Sequence, residues 1–252
     1  MGEAQFRFYA ELNDFLAPEL RFRSFPLFFI DIATVKDKIE ALGIPHTEVD
    51  LVLVNGEPVD FACRVKDGDR VSVYPVFEAF DIAPVSRLRP EPLREPRFVL
   101  DVHLGKLAAF IRMLGFDALY NNSYSDSELA AISKQERRIL LTRDVGLLKR
   151  GAVSHGYFIR NTDVRAQLLE VARRFDLTRL IRPFSRCMRC NSLLLEAESE
   201  HVAGLPGGVT REYAEFRRCP RCERIYWKGG HYRRMLQLIE ETTRIPNYRE
   251  NE

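Results

Sequence analysis

Two Cys-x-x-Cys pairs, Cys187/Cys190 and Cys219/Cys222, constrain this chain more than any other feature. Each pair makes a tight turn that presents two thiols to one point, and two such turns close a tetrahedral four-thiolate site. In a reducing compartment this pattern favours metal over disulfide. The four cysteines are therefore expected to hold one zinc ion. Four thiolates leave no coordination position open to a substrate, so the zinc is structural rather than catalytic. The 28 residues between the pairs ask for a ribbon with a long hairpin over 193–216. Asn191, directly after the first pair, suits the left-handed backbone of such a turn. The fifth cysteine, Cys63, reads as a core residue.

The remainder of the 252 residues is long enough for two or three small domains. Charge is unevenly spread along it. Residues 1–80 carry a net −6, residues 81–181 a net +5 and residues 182–252 a net +3. An acidic head on a basic body fits either a polyanionic partner such as RNA or an ordinary solvated surface. No apolar run is long enough to cross a bilayer, and MGEAQFRFYAELNDF lacks the basic start and apolar stretch of a signal peptide. The expected location is cytoplasmic, with no membrane partner.

Residues 1–80 read as a small α+β unit. QFRFYAEL alternates as a strand and LRFRSFPLFF has the texture of a second. Thr34 is placed to cap the helix VKDKIEALG, which Gly43 closes. LVLV, the turn Asn55-Gly56, the turn Asp67-Gly68 and a last strand follow. Strand pair, helix and return to strands is the order of a β-grasp, or ubiquitin-like, domain. The string VLVNGEPVDFACRVKDGDRVSVYPVF resembles the ubiquitin-like sulfur carriers. Those end in a flexible Gly-Gly, whereas this chain runs on into FEAFDIAPV, so carrier chemistry is not supported. Residues 81–96, with four prolines, read as a semi-rigid linker.

Residues 97–181 alternate strand and helix: RFVLDV, LGKLAAFIRMLG, FDALYN, SELAAISKQE, RRILLTRD, VGLLKRG, GYFIRN and VRAQLLEVARRF. That order implies a parallel sheet with helices on its faces. Residues 182–252 hold the cysteines and a closing helix near HYRRMLQLIEETTR. In an open parallel sheet ligands bind beyond the carboxyl ends of the strands. Asp101 and Asp144 end the first and third strands, and Asp126 and Glu128 open the helix after the second. Carboxylates gathered at one edge repel unless a cation joins them, and hard oxygen donors suit Mg²⁺ or Mn²⁺. The same residues also fit as helix caps.

LDVHLGKLAAFIRMLGFDALY, SYSDSELAAIS, RILLTRDVGLLKR, RCMRCN and RRCPRCERIYWKGGHYRRM together resemble the Mut-7 C-terminal RNase family. The resemblance implies a PIN-like nuclease domain followed by a zinc ribbon, with an N-terminal ubiquitin-like domain. It further implies a ribonuclease in which Asp101, Asp126 and Asp144 hold catalytic Mg²⁺ or Mn²⁺, with Glu128 and Asp163 as supporting acids. His103 and Lys106 fall in the same motif, one turn apart on a helix starting after Asp101, and either could touch a scissile phosphate; equally, Lys106 fits as a solvated residue and His103 as one packed at the strand end. Arg143 could also contact phosphate. Thr142 would hydrogen-bond a water of the site. Arginines suit phosphate and aromatics suit base stacking. The ribbon residues Arg186, Arg189, Arg217, Arg218, Arg221, Arg224, Trp227, Lys228 and Arg233 are therefore expected to contact RNA, although Tyr226 and Trp227 equally suit packing of the ribbon onto the sheet. Rival readings are a catalytically weak RNA-binding module and an adaptor whose ubiquitin-like domain recruits a protein partner.

Overall fold

The computed structural model describes residues 1–31, 33–75, 87–88 and 96–244. Apart from 87–88 and 96, the proline-rich segment 81–96 lies outside the described residues, as does FEAFDIAPV. The elements in chain order begin with β1 (Gly2–Phe8), β2 (Phe25–Phe29), α1 (Val35–Ala41), β3 (Val49–Val54), β4 (Glu57–Pro58) and β5 (Arg70–Pro75). Next come β6 (Phe98–Leu100), α2 (Gly105–Met113), β7 (Ala118–Tyr120), α3 (Asp126–Gln135), β8 (Ile139–Thr142), α4 (Val145–Leu148), β9 (Gly156–Phe158) and α5 (Val164–Arg174). The chain closes with β10 (Leu195–Glu196), α6 (Ser199–Val202), α7 (Gly207–Glu212), β11 (Phe216–Arg218), β12 (Ile225–Trp227) and α8 (Gly230–Thr243). Among the described residues no helix is long and apolar enough to cross a membrane.

Two compact units emerge, residues 1–95 with 126–158, and residues 96–125 with 159–252. The division runs through segment 97–181, which the strand-helix alternation treats as one piece.

In the first unit the five-stranded sheet has the order β2-β1-β5-β3-β4, with β1 and β5 parallel at its centre. This is the β-grasp topology. Its core is Phe6 and Phe8 of β1, Val35 and Ile39 of α1, Val52 of β3, and Val71 and Val73 of β5. Alternation puts these strand residues on one face. A capping box starts α1: the Thr34 hydroxyl accepts from Asp37 N, and the Asp37 carboxylate accepts from Thr34 N. Asn55 and Gly56 both take positive φ, at 54° and 91°, which is the two-residue hairpin turn the dipeptide favours.

The first two strands are shorter than the alternation predicts. β1 stops at Phe8 because a buried asparagine breaks the pattern. The Asn13 amide donates to Phe8 O and Ala10 O, and its carbonyl accepts from Phe22 N. That pins Ala10–Phe15 as a 3₁₀ turn and holds 20–23 out of the sheet.

The same unit carries α3, β8, α4 and β9. β8 and β9 pair in parallel, over a core of Leu129, Leu140, Leu141, Leu147 and Leu148. The β-grasp domain is fastened to them. Glu48 Oε1 accepts from Phe158 N at 2.6 Å, Lys149 Nζ donates to Glu40 O at 2.6 Å, and Phe15 meets Phe158 edge to face. His46 lies between Glu40 Oε1, 2.7 Å from its Nδ1, and Val153 O, 2.9 Å from its Nε2.

In the second unit β6 and β7 pair in parallel. Helix α2 packs on β7 and α5 packs on α2, with Leu107, Ile111, Leu168 and Val171 buried. The C-terminal part is a three-stranded antiparallel ribbon, β10-β11-β12. The predicted hairpin over 193–216 is more than a hairpin, since it holds β10 and the short helices α6 and α7. Helix α8 leaves the ribbon and packs on α5, with Leu238, Ile239 and Thr242 buried and an Arg165–Glu241 ion pair at the rim.

Candidate functional site

The four cysteines come together. Their sulfurs all lie within 4.8 Å of one another, with Cys187–Cys222 at 3.5 Å and Cys190–Cys219 at 3.3 Å. Tetrahedral Zn–S bonds of about 2.3 Å place sulfurs roughly 3.8 Å apart, so the cluster fits one ion of that size. The two Cys-x-x-Cys turns repeat each other. Cys187 N donates to Ser192 O and Asn191 N to Cys187 O; Cys219 N donates to Arg224 O and Glu223 N to Cys219 O. Asn191 and Glu223, each one residue past its pair, take left-handed φ of 71° and 60°. The expected conformation of Asn191 is therefore present, and its counterpart Glu223 shares it.

Protonation makes the same point about a cation. Burial opposes the thiolate of Cys190, but the Ser192 N–H and hydroxyl and the neighbouring thiols outweigh it and draw its pKa down to about 6. Burial, with the Cys187, Cys219 and Cys190 sulfurs and against the Arg224 backbone N–H, pushes Cys222 up to about 12. A divalent ion lets all four ionise together.

The first knuckle is riveted to the α/β layer by Arg112, which no motif singles out, and by Asn191. Arg112, 4% exposed in α2, donates through Nε to Ala118 O at 2.8 Å. Its Nη1 donates to Met188 O and Arg189 O at 3.1 and 2.9 Å. Burial pulls its pKa below the ordinary arginine value, and the Cys187 and Cys190 thiols and Asp117 push back. Asn191 accepts from Ala118 N and donates to Asp117 Oδ1. Gly115, with φ of 101°, lets the chain pass so close that an added Cβ would lie 2.3 Å from Arg182 O. One signal was available: Arg112 shares the buried stripe of α2 with Leu107, Ala108 and Ile111, and a charged residue there needs a partner.

The expected RNA-contact arginines differ in surroundings. Arg186 donates to Gly115 O and Asn191 O and lies 3.9 Å from Asp117, so its guanidinium is occupied inside the fold. Arg217 donates to Phe184 O, Arg218 pairs with Glu223, and Lys228 pairs with Glu215. Arg189, Arg221, Arg224, Arg233 and Trp227 are exposed.

Every acid named from the sequence sits at the start of a helical element. Asp101, 7% exposed, follows β6, and its Oδ1 accepts from Val102 N at 2.6 Å. Asp144 follows β8 and caps α4, with Oδ1 accepting from Gly146 N and Leu147 N. Asp163 caps α5 in the same way. Asp126 opens α3 and meets Arg150 Nη2 at 3.2 Å, and Glu128 lies exposed in the first turn of α3. The Thr142 hydroxyl accepts from Asp144 N, so Thr142 shapes the approach to the cap. Arg143 is exposed. His103 and Lys106 are exposed too, His103 in a 3₁₀ turn and Lys106 in α2, rather than on one helix as their spacing suggested. Among the described residues two groups of three or more His, Cys, Asp or Glu have ligand atoms within 4.8 Å. They are the four cysteines and an exposed set, Glu198, Glu200 and His201; neither includes the strand-end acids.

Comparison with known proteins finds two family models on the chain. Residues 96–239 match the family model described as Mut7-C RNAse domain, and residues 1–81 the model described as Mut7-C ubiquitin. No curated protein matches the chain. Two crystal structures match, both titled as small archaeal modifier protein 1 (SAMP1) of Haloferax volcanii. Each has 20% identity and a TM-score of 0.25, and covers 31% of this chain and all of the matched chain.

Proposed function

Since this chain belongs to the Mut7-C RNase family, we propose that it is a metal-dependent ribonuclease of PIN type that hydrolyses RNA phosphodiesters. The observation that carries this reading is the RNase-domain match over 96–239, which contains Asp101, Asp126 and Asp144. Asp101 and Asp144 follow the carboxyl ends of parallel strands, and Asp126 begins the helix after β7. By donor chemistry, carboxylates suit Mg²⁺ or Mn²⁺ and thiolates suit zinc. Asp101, Asp126 and Asp144 would hold the hard ion, with Glu128 or Asp163 in support. When bound, that ion supplies charge neutralisation at phosphorus and a water of lowered pKa.

The protein groups have separable tasks. Asp101 and Asp144 are each held by a backbone N–H on Oδ1, which fixes the carboxylate before substrate arrives. Arg150 at Asp126 balances its charge, and a cation must compete with that pair. Lys106, His103 and Arg143 are exposed groups suited to the phosphate backbone. Zinc would be the structural ion of the cysteine site, and the exposed ribbon cations would hold the strand. Incubation of the zinc-loaded protein with end-labelled single-stranded RNA and Mn²⁺ tests the reading. Hydrolysis by water leaves no 2′,3′-cyclic phosphate, whereas attack by the RNA's own 2′-hydroxyl would, and cyclic ends would overturn the water mechanism.

The adaptor reading draws on one observation, the outer strand β2 of the β-grasp sheet, where Phe28 and Ile30 are exposed beside an open edge. Loss of a protein partner on Phe28→Lys, with RNA hydrolysis intact, would favour it.

A further inference from the structure

Beside the cysteine site, the ribbon and the start of α8 enclose a cavity of about 550 Å³. Its walls include Phe184, Tyr226, Trp227 and Tyr232, with Arg217 and Lys228 among the lining cations. Building on the ribonuclease reading, we propose that this cavity receives one unstacked base of single-stranded RNA and so sets how the strand is held.

Four features fit a base better than another occupant. The volume falls within the roughly 300–1,000 Å³ of small-molecule pockets, enough for one nucleotide and too small for a duplex. The walls offer π faces. Phe184 and Tyr232 form a tilted ring pair, 4.6 Å apart at 33°, and Trp227 is 37% exposed. The indole is held in place, because Gly229 leaves it room that a Cβ, 2.8 Å from Nε1, would take away. Finally the lining mixes charges that suit a nucleotide. Arg217, which donates to Phe184 O, and the Lys228–Glu215 pair add charge to the wall, and Glu196 can accept from an exocyclic amine.

The cavity is also tied to the metal site. The Tyr226 hydroxyl lies 3.1 Å from Cys187 Sγ, so the wall that carries Tyr226 and Trp227 depends on the cysteine cluster. Base capture therefore depends on zinc, although zinc does not touch the base.

Trp227 is the chain's single tryptophan, which makes its emission a direct probe of the cavity. The test titrates full-length zinc-loaded protein with hexaadenylate RNA in the absence of Mg²⁺ and Mn²⁺, following tryptophan emission and the anisotropy of labelled RNA together. Saturable quenching that tracks the anisotropy is expected. Stacking is worth about 1–3 kcal/mol per base by alanine substitution, so Trp227→Ala should weaken RNA binding by about fivefold or more by anisotropy. Trp227→Phe should recover most of that loss, with zinc content unchanged in both. Binding without quenching, equal quenching by a duplex, or full affinity in Trp227→Ala would overturn the proposal. Hydrolysis is scored separately. RNA cut without quenching sinks the cavity and spares the ribonuclease reading. Quenching without hydrolysis under any divalent ion supports the cavity and sinks that reading.

Discussion

Replacing Arg112 by methionine keeps the length and apolar stem of the side chain and removes the guanidinium. Three carbonyls lose their donor: Ala118 O within the α/β layer, and Met188 O and Arg189 O in the first cysteine turn. A hydrogen bond to a charged group contributes about 1.5–3 kcal/mol. The two Nη1 bonds share one nitrogen, so the three do not add in full. Breaking a buried charged interaction from one side typically costs about 3–5 kcal/mol, and that is the expected loss. The effect should divide into two parts. The Ala118 bond acts on the α/β layer whether or not metal is present. The Nη1 bonds orient the turn that carries Cys187 and Cys190, and outer-shell changes of this kind lower metal affinity about 10–100-fold. Zinc competition against a chromophoric chelator measures the second part, and urea unfolding with and without zinc measures the first. Arg112→Lys, which keeps the charge but loses the planar fork, should fall between wild type and Arg112→Met. Arg112→Met with wild-type zinc affinity and an unchanged urea midpoint would refute the claim that this side chain joins the two layers.

Three more expectations follow from the same coordinates. Burial, then the charge of Lys36, hold the His46 ring below its ordinary pKa against the opposing pull of Glu40 and the Val153 carbonyl. The unfolded chain thus binds the proton first, so stability is full above about pH 6.5 and is lost as pH falls toward the folded-state value; urea midpoints between pH 7.5 and 5.5 should slope in wild type and flatten in His46→Gln. Gly115→Ala combines a positive φ with a Cβ 2.3 Å from Arg182 O, and strain of about 1–2 kcal/mol plus overpacking of about 1–3 kcal/mol predicts a loss near 3 kcal/mol, against no measurable change if the 182–185 segment can simply move away. Stripping zinc with a chelator should abolish the circular-dichroism signal of the ribbon and also lower the urea midpoint of the α/β layer through Arg112 and Asn191; a wholly unaffected layer would contradict that coupling.

Much of this architecture was legible because its signals are local. Cys-x-x-Cys spacing, the Thr34 cap and the Asn55-Gly56 turn each act within a few residues, and each appears where the pattern placed it. What the sequence hid acts at a distance. Asn13 breaks two strand patterns by bonding backbone at positions 8, 10 and 22. His46, Glu48 and Phe15 read as ordinary β-grasp residues, yet they fasten that domain to Val153 and Phe158, more than a hundred positions away. The same holds at the site. The four clustered cysteines announced themselves by spacing. Arg186 looked like a phosphate ligand by type and is instead committed to carbonyls of the fold. For the acids, the capping and catalytic uses ask for the same residue at the same place, and the structure shows the caps.

Replacing Asp101 and Asp144 together by asparagine separates those two uses. Asparagine caps a helix about as well as aspartate, so the backbone bonds to Val102, Gly146 and Leu147 can persist while two carboxylate charges disappear. The decisive measurement is the rate of single-stranded RNA hydrolysis with Mn²⁺ for wild type and for Asp101→Asn/Asp144→Asn, beside their urea midpoints. The ribonuclease account predicts cleavage by wild type and a loss of several orders of magnitude in a variant of unchanged stability. Hydrolysis persisting in the double variant, or a wild type inactive with every divalent ion offered, would contradict it.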